Sequence, residues 1–353
     1  MSKYWSDVVH KLIPYIPGEQ PKEHLLLKLN TNENPYGPSQ NVLKSIMVAN
    51  NDQLRLYPDP ESDKLKLALT KYYKIPKNSI FIGNGSDEVL AFVFQAFFKK
   101  DLPILFPDIT YSFYPVYCRL YEVEYKTIAL DDEFNIRTED YKIENGGIIF
   151  PNPNAPTGIP KSLKDIKEIL KLNQESVVVI DEAYVDFGTE SAIKLVDQYS
   201  NLIVTQSFSK SRSLAGMRLG FAIANEELIE ALTRIKNSFN SYPIDRLAET
   251  AGVAALEDDV YFNEKCTEII NARIFLVKEL EQLGFNTLPS GANFIFTRHK
   301  SIDANIIFNK LREQGVLVRH FTNPDKISQY LRITIGTMEQ MKTLLFLLKE
   351  ICN

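Results

Sequence analysis

The stretch that decides the fold is Ser207-Phe208-Ser209-Lys210-Ser211-Arg212-Ser213-Leu214-Ala215-Gly216-Met217-Arg218. It directly follows the apolar, β-branched run Leu202 to Thr205, which predicts a buried strand. Lys210 is therefore expected at the carboxyl end of a strand, where open α/β sheets place their ligand sites. A lysine in that position forms a Schiff base when desolvation or a neighbouring cation keeps it uncharged.

The residues around Lys210 suit a phosphate group, because the hydroxyls of Ser207 and Ser209 and the guanidinium of Arg218 are hydrogen-bond donors. The alternative is an exposed lysine in a serine-rich turn. Taken alone, this second interpretation is favoured, because the chain contains many lysines. The neighbouring segments therefore have to decide between the two.

Four more apolar runs predict buried strands, because they are short, rich in β-branched residues and apolar on both faces. They are Ile80-Phe81-Ile82, Pro103 to Phe106, Ile148-Ile149-Phe150 and Val177 to Ile180. Between the last two, apolar residues recur at helical spacing after Ser162, a predicted N-cap. This order of strand, helix and strand predicts an α/β protein with a mostly parallel sheet covered by helices.

The last hundred residues have a different pattern, with a long helix predicted from about Asp258 to Leu283. Strands are predicted after it at Asn293 to Phe296, Val316 to Arg319 and Tyr330 to Ile335. We therefore predict three parts. They are an N-terminal segment (1–40) packed on the small domain, a large α/β domain (41–255) that holds the cofactor, and a small α+β domain (256–353).

The composition excludes several classes of function. The 353 residues carry a formal net charge of −5, which argues against a nucleic-acid partner. Three scattered cysteines and four histidines without metal-ligand spacing favour neither a disulfide framework nor a metal site, and they are typical of a reducing cytosol. No apolar run is long enough for a signal peptide or a membrane span, so we expect a cytoplasmic protein without a membrane partner.

A carboxylate follows one of the predicted central strands. The run Val177 to Ile180 ends in Asp181, and burying that side chain is costly unless it has a partner. A protonated pyridine nitrogen is such a partner, and the ion pair would make the ring an electron sink. An aspartate that caps the next turn explains the pattern equally well.

The segment Gly83-Asn84-Gly85-Ser86-Asp87-Glu88 lies between a predicted strand and a predicted helix. Such a glycine turn before a helix N-terminus is typical of an anion site built from free backbone N–H groups. Asp87 and Glu88 would repel a phosphate unless their side chains point away, so the positive charge has to come from Arg218. A plain helix start, with acids favourable to the helix dipole, is an equally good interpretation.

Two further segments have patterns of interest. The loop Pro151-Asn152-Pro153-Asn154-Ala155-Pro156-Thr157-Gly158 is rigid and poor in donors, although a simple sharp turn explains it too. Arg332 lies on the polar face of the predicted strand Tyr330 to Ile335, where a guanidinium can bind a carboxylate or a phosphate. The alternative is a solvated surface arginine.

In this order and spacing, the segments resemble the class-II pyridoxal-phosphate-dependent aminotransferases of fold type I, and most closely the histidinol-phosphate aminotransferases. The resemblance covers nearly the whole chain. It extends from Leu29-Asn30-Thr31-Asn32-Glu33-Asn34-Pro35-Tyr36-Gly37 through Tyr57-Pro58-Asp59 to the strand with Arg332. It implies pyridoxal 5′-phosphate as the cofactor and no metal.

The resemblance also implies roles for the matching residues. Lys210 would carry the cofactor and then move a proton, Asp181 would pair with the pyridine nitrogen, and Tyr184 would bind the ring hydroxyl. The other expected cofactor contacts are the stacking residue Tyr111 and the phosphate ligands Ser86, Asp87, Ser207, Ser209 and Arg218. Tyr57 would reach the phosphate in the partner subunit, which implies a homodimer.

One position departs from the pattern of the family. Many relatives carry an asparagine immediately before Pro-Thr-Gly that binds the ring hydroxyl, and this chain has Ala155 there. Asn154 is the neighbouring candidate for this contact, and we expect Tyr184 to carry more of it.

The resemblance implies that the substrates are L-histidinol phosphate and 2-oxoglutarate, bound by Tyr15, Arg319 and Arg332. An aromatic amino-acid aminotransferase is the first alternative, since the same scaffold serves both activities and the chain has 21 phenylalanines and 17 tyrosines. A threonine-phosphate decarboxylase is the second. A non-enzymatic cofactor-binding module is disfavoured, because Lys210 and Asp181 are both present.

Overall fold

The structure, a computed structural model, describes residues 3–20, 26–99 and 101–352. The helices are α1 (Asp7–Lys11), α2 (Gln40–Ala49), α3 (Asp63–Tyr73), α4 (Gly85–Val93), α5 (Tyr114–Tyr121), α6 (Leu163–Leu172), α7 (Glu226–Phe239), α8 (Arg246–Glu257), α9 (Asp259–Gln282), α10 (Ala304–Glu313) and α11 (Met338–Cys352). The strands are β1 (Leu27–Lys28), β2 (Ile80–Asn84), β3 (Ile104–Pro107), β4 (Tyr125–Ile128), β5 (Gly147–Pro151), β6 (Val178–Asp181), β7 (Leu202–Ser207), β8 (Leu219–Ala224), β9 (Phe285–Thr287), β10 (Phe294–His299), β11 (Val316–Leu317), β12 (Arg319–His320) and β13 (Leu331–Thr334).

The larger sheet has seven strands in the order β2-β8-β7-β6-β5-β3-β4. All pairs from β7 to β4 are parallel, whereas β8 runs antiparallel to both of its neighbours. The five predicted strands and the mostly parallel sheet are therefore confirmed. The sequence patterns did not indicate β4 or β8.

Alternate residues of the central strands point to two separate cores, as the two-residue period of a strand requires. Ile148, Val178 and Leu202 pack with α3, α6 and α8 on one face of the sheet. Ile149 and its neighbours in the next strands pack with α4, α5 and α7 on the other face. This two-sided burial explains why the strands are continuous apolar runs. The predicted N-cap is also confirmed, because the Ser162 side chain accepts a hydrogen bond from the backbone N–H of Asp165 at the start of α6.

A second, antiparallel sheet has the order β12-β13-β10-β9 and packs with α9, α10 and α11. The long predicted helix corresponds to α9. The single strand predicted at Val316 to Arg319 is wrong in one respect, since it is divided between β11 and β12. The strand β11 pairs with β1, and β12 pairs with β13.

The N-terminal segment contacts the small sheet region through β1, and the side chains of Leu27 and Leu29 belong to the same core as α9 and α11. Residues 1–2 and 21–25 of this segment lie outside the described residues. The division of the chain at residues 40 and 255 stays a prediction.

One edge of the large sheet gathers the segments that the sequence singled out. Asp181 is the register partner of Pro151 on one side and of Thr205 on the other, at the carboxyl ends of β5, β6 and β7. The strand β8 begins at this same edge, where Gly220 pairs with Ser207. A side-chain Cβ on Gly220 would lie 2.3 Å from the backbone nitrogen of Ser86, so only glycine allows α4 to begin this close to the sheet.

Candidate active site

A cavity of about 660 Å³ opens at this edge of the large sheet and extends to the small sheet. That volume is within the range of small-molecule sites, which is roughly 300–1,000 Å³. With two exceptions described below, every site residue predicted from the sequence lines it. These residues are Tyr15, Ser86, Asp87, Tyr111, Asp181, Tyr184, Ser207, Ser209, Lys210, Arg218, Arg319 and Arg332.

Asp181 is the most deeply buried charged group of the cavity, with 5% of its surface exposed. Its carboxylate accepts hydrogen bonds from the Tyr114 hydroxyl (3.1 Å) and the Thr205 hydroxyl (3.5 Å). Burial nevertheless raises the pKa of Asp181 to about 6, against the effect of these bonds. Among the described residues no cation forms an ion pair with Asp181. Its carboxylate is therefore available to pair with a cationic group of a ligand.

Lys210 lines the same cavity, and its Nζ donates to the backbone carbonyl of Thr31 at 3.1 Å. The same Nζ is 5.8 Å from the centre of the Tyr184 ring. The loop of Lys210 is fixed at two points. The Asn34 amide donates to the Lys210 carbonyl (2.8 Å), and the Ser211 hydroxyl donates to Asp186 (2.5 Å).

The Tyr184 hydroxyl accepts a hydrogen bond from the amide of Asn32 at 3.0 Å, which leaves its own proton free to donate. Asn32 is buried and is itself held by Thr334 of β13 through both its backbone N–H and its side-chain oxygen. Its backbone is in the left-handed region, with φ of 56°. Asn32 therefore orients Tyr184 from the N-terminal segment, where Thr334 of the small sheet holds it in place.

The anion site predicted at the start of α4 has the expected parts. The side chain of Arg218 pairs with the Asp87 carboxylate at 2.9 Å, and the Tyr111 hydroxyl donates to the other oxygen of Asp87 at 3.1 Å. The Glu88 carboxylate turns away from the site and accepts from the backbone N–H of Asn84 at 2.6 Å. The negative charge of Asp87 is therefore compensated by Arg218, and the carboxylate of Glu88 points away from the site.

The backbone around Arg218 is equally constrained. Gly85 has φ of +79°, and a Cβ there would lie 2.5 Å from Nη2 of Arg218. The Ser207 hydroxyl accepts from the backbone N–H of Ser209 at 3.1 Å, which closes a tight turn just before Lys210. Backbone N–H groups, hydroxyls and a guanidinium therefore converge at one end of the cavity, as phosphate binding requires.

Two arginines face the cavity from the small sheet. Arg319 of β12 and Arg332 of β13 are register partners on adjacent antiparallel strands. Arg332 donates to the carbonyl of Asn30 at 2.9 Å, and burial lowers the pKa of its guanidinium. Tyr15 lines the same region, with its ring centre 4.9 Å from that of Phe113. Like-charged side chains held this close favour an anionic ligand between or beside them.

Two predicted residues do not line the cavity. Asn154 is 1% exposed, and its amide donates to the carbonyl of Ile109 (3.0 Å) and the hydroxyl of Thr157 (3.2 Å). Ala155 lines the cavity in its place, so the contact predicted for Asn154 has no support from its position. Tyr57 is 80% exposed and stacks on Tyr242 with ring centres 4.8 Å apart.

Several residues of the cavity were given no role from the sequence. Asn30, Thr31, Asn32 and Glu33 form part of the wall beside Lys210 or support it, and Phe321 lies beside the two arginines. The only signal for the first group was the block Leu29 to Gly37, whose asparagines are typical of turns. No pattern in the sequence pointed to Phe321.

The chain can now be placed in a family. Residues 25–346 match the family model described as aminotransferase class I and II, and the chain belongs to this family. It is 59% identical over 345 residues to histidinol-phosphate aminotransferase 1 of Pseudomonas aeruginosa, with 98% of each chain covered. It is also 59% identical over 340 residues to histidinol-phosphate aminotransferase 1 of Hydrogenovibrio crunogenus, with 96% of this chain and 95% of the relative covered.

Solved structures agree on the fold. The histidinol-phosphate aminotransferase of Clostridium acetobutylicum superposes with a TM-score of 0.86 at 26% identity, covering 93% of this chain and 99% of that one. The corresponding enzyme of Sinorhizobium meliloti, in complex with pyridoxal 5′-phosphate, gives 0.88 at 22% identity over 100% and 98% of the two chains. The predicted fold type I architecture and the predicted class, a transaminase dependent on pyridoxal phosphate, are confirmed.

The residues of the cavity fit this cofactor. A buried carboxylate without a cationic partner suits a protonated pyridine nitrogen, and the glycine-bounded turn with Arg218 suits the phosphate group. Lys210 supplies an amine within the same cavity. Within the described parts of the chain there is no group of histidine, cysteine and carboxylate side chains that could hold a metal ion, and no helix has the length and apolarity to cross a membrane.

The raised pKa of Asp181 predicts a pH dependence of stability in the cofactor-free protein. The pKa of about 6 lies above the ordinary value of 3.8. Between these two pH values the folded state therefore keeps a proton on Asp181 that the unfolded state has lost. The stabilising contribution of Asp181 to the free energy of unfolding is therefore greatest below about pH 4, and it disappears as the pH rises to about 6. Asp181→Asn should raise the free energy of unfolding at pH 7 by about 1–3 kcal/mol and should flatten this part of the pH profile.

Urea unfolding of the cofactor-free protein at several pH values measures this effect, with Asp132→Asn in an exposed turn as the matched control. The same substitution at Asp181 should weaken cofactor binding, so stability and affinity should change in opposite directions. Identical pH profiles for the wild type and Asp181→Asn would contradict the assignment.

Proposed function

We propose that the protein transfers the amino group of L-histidinol phosphate to 2-oxoglutarate, giving imidazole-acetol phosphate and L-glutamate, a step of histidine biosynthesis. The observation that carries the proposal is the identity of 59% to relatives named histidinol-phosphate aminotransferase, over almost the full length of both chains. The paired arginines of the cavity are consistent with it, because each substrate carries an anionic group in addition to its reacting centre.

The bound cofactor supplies an electron sink that stabilises negative charge on the substrate carbon. In our proposal Lys210 binds it covalently through Nζ. With cofactor and substrate bound, the Nζ of Lys210 would be the base that takes the proton from the substrate carbon and the acid that returns it. The carbonyl of Thr31 at 3.1 Å holds the amine in the cavity between these events.

Asp181 and Tyr184 hold the ring at its two polar positions in this proposal. The carboxylate of Asp181 keeps a proton on the ring nitrogen, and its burial makes that ion pair strong because little water screens it. The Tyr184 hydroxyl, oriented by Asn32, donates to the ring hydroxyl. Tyr184 alone makes this contact, since Ala155 has no polar side chain and the Asn154 amide is directed towards Ile109.

The remaining residues bind rather than react. Ser86, Ser207, Ser209 and Arg218, with the backbone N–H of Asp87, hold the cofactor phosphate, and Tyr111 packs on the ring. Arg319 and Arg332 bind the phosphate of histidinol phosphate and a carboxylate of 2-oxoglutarate in turn. Tyr15 covers the substrate from the N-terminal segment, where its ring already packs on Phe113.

We also propose a homodimer in the cytoplasm. Tyr57 is 80% exposed and outside the cavity of its own chain, as expected of a residue that serves a second copy. Leu54 and Leu56, which precede it in the chain, are exposed apolar side chains too, and such a dimer would cover them. The three free cysteines favour the reducing cytosol.

A coupled assay of the purified protein tests the proposed substrates. Turnover of histidinol phosphate with 2-oxoglutarate should exceed that of phenylalanine and tyrosine by at least about 100-fold in kcat/KM, because a site built for a phosphate leaves its arginines unpaired with other donors. Better turnover of phenylalanine or tyrosine would support the aromatic aminotransferase instead. Release of carbon dioxide without consumption of a keto acid would reveal a decarboxylase. Lys210→Ala serves as the inactive control.

Subunit mixing tests the role of Tyr57. Lys210→Ala and Tyr57→Ala subunits, each poorly active alone, should regain about a quarter of the wild-type activity when co-expressed in equal amounts, because each mixed dimer has one intact site. A mixture of Lys210→Ala with Lys210→Arg shares its defect and should regain nothing. Activity no higher than the sum of the two single variants would show that Tyr57 does not act on the partner's site.

A further inference from the structure

The ring of Phe321 contacts both arginines of the substrate region. Its centre is 5.6 Å from the guanidinium carbon of Arg319 and 5.6 Å from that of Arg332. Both distances are within the roughly 6 Å over which an aromatic face attracts a cation. Phe321 directly follows β12 and lines the cavity together with the two arginines.

The two guanidinium groups need such a contact because the chain places them side by side. Arg319 and Arg332 are register partners on adjacent strands, so their like charges repel in the absence of an anion. An aromatic face lowers this cost for both cations without neutralising either one. A carboxylate in the same place would compete with the anionic ligand, whereas a phenyl ring cannot.

The two arginines differ in what else holds them. Arg332 donates to the carbonyl of Asn30 and also lies 5.4 Å from the centre of the Phe294 ring. No hydrogen bond or ion pair within residues 3–20, 26–99 and 101–352 holds the guanidinium of Arg319, whose contact there is the ring of Phe321. Arg319 therefore depends on this ring more than Arg332 does.

We propose that Phe321 is a positioning residue that holds Arg319, and to a smaller extent Arg332, at the spacing at which they bind the phosphate of one substrate and the carboxylate of the other. This inference rests on the proposed function, because it takes the two arginines as the anion-binding groups. The ring acts through the arginines and does not itself contact the reacting atoms.

Calorimetric titration of the cofactor-loaded protein with succinate, and separately with inorganic phosphate, tests the proposal without turnover. Phe321→Leu keeps an apolar side chain but removes the aromatic face, and it should weaken binding of both anions about tenfold. Phe321→Tyr retains the face and should bind within about twofold of the wild type. Phe308→Leu, which alters another half-buried ring of the small sheet region beside His320, is the matched control and should change neither affinity.

A double-mutant cycle separates positioning from general packing. If Phe321 acts through Arg319, the loss of affinity in Phe321→Leu combined with Arg319→Gln should be clearly smaller than the product of the two single losses. The visible absorbance of the bound cofactor should be the same in all variants, because Phe321 is not among its expected ligands. Wild-type affinity in Phe321→Leu, losses that multiply, or no binding of either anion to the wild type would overturn the proposal.

Failure of the positioning role of Phe321 and failure of the proposed function would give different results. Phe321-dependent anion binding with no turnover of histidinol phosphate would refute the substrate and leave the positioning role intact. Turnover of histidinol phosphate with anion binding unaffected by Phe321→Leu would refute the positioning role alone.

Discussion

The carboxylate of Asp181, buried at the end of β6, is the constraint on which the site depends. A charge in that position is costly unless a cation meets it, and none of the described residues forms an ion pair with it. Its hydrogen bonds with Tyr114 and Thr205 fix its orientation without supplying positive charge. The protein therefore folds with a buried carboxylate that pairs with no cation of the described residues, and in our proposal a protonated pyridine ring would supply that positive charge.

The rest of the architecture brings complementary groups to the same edge. The antiparallel strand β8 begins at the carboxyl ends of the parallel strands, and Gly220 lets α4 begin against it. This places the anion site at one end of the cavity. The N-terminal segment supplies Asn32, which orients Tyr184, and the small sheet supplies two arginines that line the same cavity. In our proposal the residues that would hold the cofactor therefore come mainly from the large sheet, and the arginines that would bind the substrates come from the small sheet.

Much of this fold could be predicted because the central strands are buried on both faces, which makes them continuous apolar runs in the sequence. The strand β4 was not predicted because it lies at the edge of the sheet. Its Tyr125, Lys126 and Thr127 are exposed, so it does not form a continuous apolar run. The run at Val316 looked like one strand because local pattern does not specify pairing partners. For the same reason Asn32 and Phe321 were missed, since their roles depend on contacts with distant parts of the chain. The resemblance to a family gave expected roles to residues that local patterns left open, and Ala155 marks the position where the pattern of the family is incomplete.

We propose above that Lys210 binds pyridoxal phosphate covalently in the cavity that Asp181 also lines. Reduction of the cofactor-loaded protein with borohydride, followed by proteolysis and mass spectrometry of the peptides, tests it most directly. We predict a reduced pyridoxyl group on the peptide that carries Lys210, and no such group in Lys210→Ala. Labelling of a different lysine, or labelling that survives in Lys210→Ala at the wild-type level, would contradict it.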